Sequence, residues 1–398
     1  LAVLKKPPMR HTPYYLFVLL TFLGCAKTPS QTAQQTTQTQ TDLYFPAAGD
    51  AWQRKEAAQA GMDAALLEQA VAFAKQQETT QMKPDFSTQK EIFGEPLGPL
   101  PPSRAATNGL ILRHGYIVAE WGDTKAADPT YSVAKSVLST IVGLSVEKGI
   151  IKDVRDPVAN YIKDGSYASE QNRSITWEHH LRQTSEWAGA LWGKNVNFIG
   201  KEAFGQGERK PRALQPPGTY YEYNDVRINR MALSLLQLWR KPLPDVFRDE
   251  IMTPIGASDT WKWVPYRNSI VEIDGKVMPS VSGGTRWGGG LWISTRDEAR
   301  FGYLMLRQGR WGAKQLVPAS WIKQATTRGP VGPDYGYLWW LNTEQKAWPS
   351  APATSYAALG AGSNTIWIDP EHDIVVVWRW HDGKPDELIK RILAAVRE

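Results

Sequence analysis

The chain has 398 residues, of which 42% are hydrophobic and 22% charged, a balance that excludes wholesale disorder and allows a large core without staples. A single cysteine excludes a disulfide framework and Cys-rich zinc sites. The net charge is +6, and with Lys5, Lys6 and Arg10 in a short acid-free leader the remaining body is only mildly basic, so no nucleic-acid partner is expected.

In chain order, the basic start is followed by an apolar run from Tyr14 to Leu23, too short for a comfortable membrane span and suited to the core of an export signal. Phe22-Leu23-Gly24-Cys25 resembles a bacterial lipobox, with Phe22 where Leu is usual. The expectation is a lipoprotein-type signal over 1–24 and an exported, periplasmic or cell-surface protein tethered to a membrane by an acyl chain on Cys25. The Thr- and Gln-rich stretch that follows has no apolar periodicity and is read as a solvated tether over 25–45, leaving 46–398 as the folded domain.

Met62 to Gln77 carries apolar residues at helical spacing. Two β-rich runs flank His114-Gly115, a hairpin signal. A long helix opens near Ser132 and stops at Gly149. Residues from about 150 to 285 show helical patterns with many Trp and Pro. Strands return at Thr365-Ile-Trp-Ile-Asp-Pro370 and Ile374-Val-Val-Val-Trp-Arg-Trp380, joined by a turn at Glu371-His372-Asp373, and a last helix closes the chain. The predicted class is α+β: an antiparallel sheet flanked by helices, with a mostly helical lobe inserted over about 150–285.

For chemistry, there is no G-x-S-x-G and no H-E-x-x-H, and the adjacent His179 and His180 point about 100° apart on a helix, a poor metal clamp. No metal or other cofactor is expected. A Ser-x-x-Lys tetrad places hydroxyl and amine on one helix face, and the chain holds four, at Ser87–Lys90, Ser132–Lys135, Ser145–Lys148 and Ser320–Lys323. Lys90, Lys148 and Lys323 have polar, solvated surroundings. Ser132 stands in the first turn of a helix, where free N–H groups favour negative charge, and Lys135 is embedded among Val133, Ala134, Val137, Leu138 and Ile141, a setting that disfavours the charged amine. From these residues alone the pair reads equally well as a helix cap with a snorkelling lysine.

Tyr131-Ser-Val-Ala-Lys135 resembles the active-site serine motif of the β-lactamase and penicillin-binding-protein superfamily. Four further segments resemble that superfamily's class C-like, esterase-like branch in order: Ile175–Ser185, Pro217–Asp225, Gly288–Gly302 and Ala358–Asn364. The resemblance runs from about Asn108 to Val377. It implies a serine hydrolase in which Ser132 is acylated, Lys135 takes its proton, Tyr223 relays a proton to the leaving group, and the backbone N–H groups of Ser132 and Ala361 form an oxyanion hole. Gly360, Asn364, Arg286 and Trp287 are the implied substrate contacts.

Three departures stand out. Glu186 replaces a usual Gly. Asp225 replaces the Asn of Tyr-x-Asn; beside Lys135 it would favour the ammonium, and either Asp225 is neutral or turned away, or Tyr223 becomes the base. Ala358-Leu359-Gly360 replaces Lys-Thr-Gly, removing the cation that anchors a substrate carboxylate. Small neutral esters or amides are therefore expected ahead of β-lactams or D-Ala-D-Ala peptides, with a silent cell-wall binder as the non-enzymatic rival. Arg286 is a substitute anion anchor, and Trp187, Trp192, Trp287, Trp339 and Trp340 are candidates for an apolar cleft. The run Glu208–Arg212 reads as a solvated loop.

Overall fold

The computed structural model describes residues 43–197 and 212–397. The export signal, Cys25 and nearly all of the expected tether lie outside the described residues, as does most of the 208–212 charge run. The folded unit begins at Leu43, and aromatic residues anchor that end. The Tyr44 ring stacks on Tyr116 at 4.1 Å, and Phe45 packs against Tyr303 and Trp311.

Along the chain, helix α1 spans Ala64–Lys75, its first turn capped by the Asp63 carboxylate accepting from the Leu66 N–H. Strands β1 (Asn108–Arg113) and β2 (Tyr116–Trp121) form the expected hairpin, with His114 and Gly115 both left-handed (φ 54° and 84°) as a two-residue turn requires. Next come β3 (Asp128–Pro129), α2 (Val133–Glu147), α3 (Asp225–Trp239), β4 (Lys262–Val264), β5 (Gly290–Ile293) and α4 (Thr295–Leu306). The chain closes with β6 (Trp340–Leu341), β7 (Tyr356–Gly360), β8 (Asn364–Asp369), β9 (Ile374–Arg379) and α5 (Pro385–Ala395).

Six strands form an antiparallel sheet in the order β6-β7-β8-β9-β1-β2, so the two ends of the fold meet where β9 pairs with β1. Alternation along the central strands assigns side chains to two cores. Leu110, Leu112, Ile366, Ile368, Val375 and Val377 join the core containing α2 and α4, whereas Ile111, Trp367, Val376 and Trp378 join the one beneath α1 and α5. Both faces are covered, which is why β1, β8 and β9 are buried along their whole length.

The inserted lobe is less purely helical than the sequence suggests. Besides α3 it contains two-stranded hairpins at Ala190–Leu191 with Lys194–Asn195 and at Ile270–Ile273 with Lys276–Pro279. It also supplies β4 to a small sheet of order β3-β5-β4. These strands are two to four residues long, too short for alternation to reveal them. The small sheet matters for function because β3 ends at Pro129, just before Ser132.

Candidate active site

The turn from β3 into α2 is tightly held. Thr130 N–H donates to Leu291 O of β5 (2.9 Å). Tyr131 adopts φ 51°, a left-handed conformation that is costly for an aromatic residue. Its ring packs against Phe93 and Trp380, and its hydroxyl donates to Gln89 Oε1 (2.7 Å). Ser132 follows as the N-cap of α2, but its side chain caps nothing. The hydroxyl accepts instead from Lys135 Nζ at 2.8 Å. Ser132 is partly exposed, whereas Lys135 is buried with the rest of this end of the helix. The other three tetrads have no such setting: Lys90 pairs with Glu95 and Lys148 with Glu250 in solvent, and Lys323 is exposed.

Asp225, the first residue of α3, is turned toward the site. Its Oδ1 lies 2.5 Å from Lys135 Nζ and its Oδ2 accepts from Arg286 Nη1 at 2.9 Å. Burial opposes the charge of this carboxylate, but the two cations outweigh it and hold its pKa at about 2. Burial likewise opposes the charge on Lys135, yet Asp225 and the nearby Tyr223 win and raise its pKa above the ordinary value. The resting site is therefore an ammonium on a carboxylate, one of the two alternatives that the sequence left open for Asp225. Tyr223 completes the cluster: its ring centroid is 4.8 Å from Lys135 Nζ. The same ring stacks on Trp340 (6.0 Å, 26°), which meets Tyr335 edge-on.

β7 faces this group. β6 pairs only with Tyr356 and Ala357, leaving the edge of Ala358–Gly360 open beyond it. A Cβ on Gly360 would come within 3.1 Å of the Ser132 amide nitrogen, so the strand end and its successor Ala361 lie against the nucleophile turn. Gly360 thus serves close backbone packing.

Several expected substrate contacts are corrected. Arg286 is not a free anion anchor, because its guanidinium is engaged by Asp225. Trp287 is 1% exposed and belongs to the core. Asn364 is fully buried, its amide donating to Ala361 O and accepting from Arg379 Nε (both 2.6 Å), so it shapes the turn after β7. Trp187 and Trp339 are buried and Trp192 packs on Tyr266; of the five tryptophans only Trp340 stacks on Tyr223. His180 is buried against the Tyr167 hydroxyl, and burial pushes its imidazole pKa well below the usual range.

Two site residues escaped the sequence reading. Gly284 passes over the reacting pair: a Cβ there would lie 3.6 Å from both Ser132 Oγ and Lys135 Nζ. No local signal separates it from other glycines. Arg379 is buried and donates to Ile293 O, Asp128 O and Pro129 O, tying β9 to the small sheet below the nucleophile. An arginine inside an apolar strand was its visible clue.

Comparison with known proteins agrees with this architecture. The Beta-lactamase family model matches residues 123–397. An uncharacterized protein of Alkalihalophilus pseudofirmus is 23% identical over 273 residues, 64% of this chain and 74% of that one. An Escherichia coli O157:H7 protein, provisionally named a D-alanyl-D-alanine carboxypeptidase, is 23% identical over 48% of this chain, which spans only half of that relative's length. The crystal structure of a family VIII carboxylesterase superposes with a TM-score of 0.53 at 16% identity, over 78% of this chain and 97% of that one, and shows the shared fold. With most of its folded residues matched by one family and its sheet and helices superposing on that fold, the chain belongs to the beta-lactamase family, as a hydrolase of the beta-lactamase fold.

Proposed function

We propose that this protein is a serine hydrolase that works through an acyl-enzyme on Ser132 and acts on neutral esters or amides. The observation that supports it most is the 2.8 Å contact between the buried Lys135 Nζ and the partly exposed Ser132 Oγ at a helix N-terminus. Ser132 Oγ attacks the substrate carbonyl carbon, and the resulting oxyanion is received by the backbone N–H groups of Ser132 and Ala361. Lys135, kept as an ammonium by Asp225, stabilises charge on Oγ but has no free lone pair. The Ser132 proton therefore passes to the Tyr223 hydroxyl oxygen as that hydroxyl gives its own proton to the leaving alcohol or amine and the C–O or C–N bond breaks. Water then attacks the acyl-enzyme by the same route and frees the acid.

Neutral substrates are favoured because Ala358 stands where a substrate carboxylate would need a cation, and because Lys135 and Arg286 are both spent on Asp225. The Trp340 and Tyr335 rings beside Tyr223 suit an apolar group. The name of the Escherichia coli relative favours a second reading, a D-Ala-D-Ala carboxypeptidase; the missing cation weighs against it. The basic and apolar leader ending at Cys25 supports an exported, lipid-anchored form, which labelled-palmitate incorporation, lost in Cys25→Ala, would test.

The deciding experiment is fluorophosphonate labelling combined with turnover of neutral esters, amides and penicillins. The parent should be labelled and hydrolyse the esters or amides, and Ser132→Ala should do neither. A folded parent that takes no label would favour a silent binder. Covalent capture of labelled penicillin with slow ester turnover would favour the peptidase.

A further inference from the structure

We propose that Arg286 is a positioning residue for this reaction: it pins one oxygen of Asp225 so that only the other meets Lys135, and so aims the ammonium at Ser132. This rests on the assignment of Ser132 and Lys135 as the reacting pair.

The geometry divides the Asp225 carboxylate between two cations, Oδ1 to Lys135 Nζ (2.5 Å) and Oδ2 to Arg286 Nη1 (2.9 Å). An ammonium has three N–H donors. One goes to Asp225 Oδ1 and one to Ser132 Oγ, while the Tyr223 ring lies 4.8 Å from the nitrogen. If Oδ2 were released, the carboxylate could turn to present both oxygens to Lys135, and the second would compete with Ser132 Oγ for a donor. The planar, permanently charged guanidinium prevents that rotation.

Arg286 is itself fixed with respect to the nucleophile. Gln89 Nε2 donates to the carbonyl oxygens of Thr285 (3.3 Å) and Arg286 (2.8 Å), while Gln89 Oε1 accepts from the Tyr131 hydroxyl (2.7 Å). A closed circuit results: Tyr131 to Gln89, to the Arg286 backbone, through its side chain to Asp225, to Lys135, to Ser132, and back to Tyr131 along the chain. The ring of Phe93, which also packs on Tyr131, lies 5.9 Å from the guanidinium. The titratable and charged groups around Asp225 are Lys135 on α2, Tyr223 just before α3, Arg286 itself, and Tyr266 and Tyr335 from the loops around it.

The test compares Arg286→Gln, Arg286→Lys, Asp225→Asn and the Arg286→Gln/Asp225→Asn double variant, using a neutral nitrophenyl ester as the turnover probe across the pH range. Arg286→Gln should lower kcat by about 10²-fold, the scale of a misplaced reacting group, with KM nearly unchanged. It should also move the acidic limb of the kcat/KM profile to higher pH, because Asp225 loses one of the cations that keep it ionised. Arg286→Lys should return the limb toward its parental position, since the charge is restored, but recover only part of kcat, since the shorter side chain cannot hold Oδ2 from the place Nη1 occupies. In the Asp225→Asn background Arg286→Gln should do little more. A parental kcat and limb in Arg286→Gln, or losses that multiply fully with Asp225→Asn, would overturn the proposal. If Arg286→Gln does not fold, Arg286→Lys decides: a parental kcat there overturns it. A parent that takes no fluorophosphonate defeats the Ser132 assignment itself, whereas a labelled, active parent matched by its Arg286 variants defeats this proposal only.

Discussion

Gly360 and Thr130 approach each other where β7 leaves room for no side chain: a Cβ on Gly360 would stand 2.2 Å from the Thr130 carbonyl oxygen. That contact sets the distance between β7 and the turn bearing Ser132. Gly360→Ala should push the strand end away from the Ser132 amide and spoil the oxyanion site. The expected result is a fall in kcat/KM of about 10²-fold and slower fluorophosphonate labelling, with an unchanged far-UV circular dichroism spectrum. Parental labelling kinetics would mean that the strand end does not help to hold the oxyanion.

Asp225 links the site to acid stability. Burial raises its pKa, but Lys135 and Arg286 more than compensate, and the value drops from 3.8 to about 2. Because the folded-state value is depressed, the stabilisation is fully present above about pH 4 and is lost as the pH falls toward 2, an effect on the order of 2 kcal/mol. Urea unfolding midpoints should therefore decline in this window for the parent and more shallowly for Asp225→Asn, which has no carboxylate to protonate there. Parallel declines would show that Asp225 is not the group responsible.

Glu186 explains itself through its partners. Its backbone is left-handed (φ 49°), which accounts for the Gly usual at this place, yet its fully buried carboxylate takes Arg227 Nη1 and Arg212 Nη2 at 2.7 and 2.8 Å. Glu186→Gln would remove one of the two carboxylates that share the buried Arg227 guanidinium, Glu222 being the other. A destabilisation of about 3 kcal/mol is expected, read as a lower urea midpoint with an unchanged slope. A loss below about 0.5 kcal/mol, the range of surface substitutions, would contradict this role. Glu186→Gly, although relieved of backbone strain, should also be less stable than the parent.

Trp340 is expected to set acyl or leaving-group preference, since its ring stacks on Tyr223 and is only partly buried. Trp340→Ala should raise KM for aryl or long-chain esters roughly fivefold, as for one lost aromatic contact of about 1 kcal/mol, and change acetate esters little. The comparison needs only a chain-length series on the purified variant. An equal effect on all esters would assign Trp340 to packing alone.

Much of this protein is written in local patterns. Short β-rich apolar runs placed β8 and β9 correctly, the β-rich runs flanking His114-Gly115 placed the first hairpin, and the apolar neighbours of Lys135 singled out one tetrad among four. Such signals survive in a linear reading because side-chain direction repeats every two residues in a strand and every 3.6 in a helix. Charge partners carry no such periodicity. Lys135 and Asp225 are 90 residues apart, and Asp225 and Arg286 are 61 apart. Only packing of the lobe against the sheet made them neighbours, decided between the alternatives left open for Lys135, and set Arg286 on Asp225. The burial of Trp287 and Asn364 was decided the same way, by elements distant in sequence closing over them. The linear chain thus determined the main elements and the Ser132–Lys135 pairing, while the tertiary structure decided the electrostatics around that pair, because the energy of a buried charge depends on what lies within a few ångströms in space.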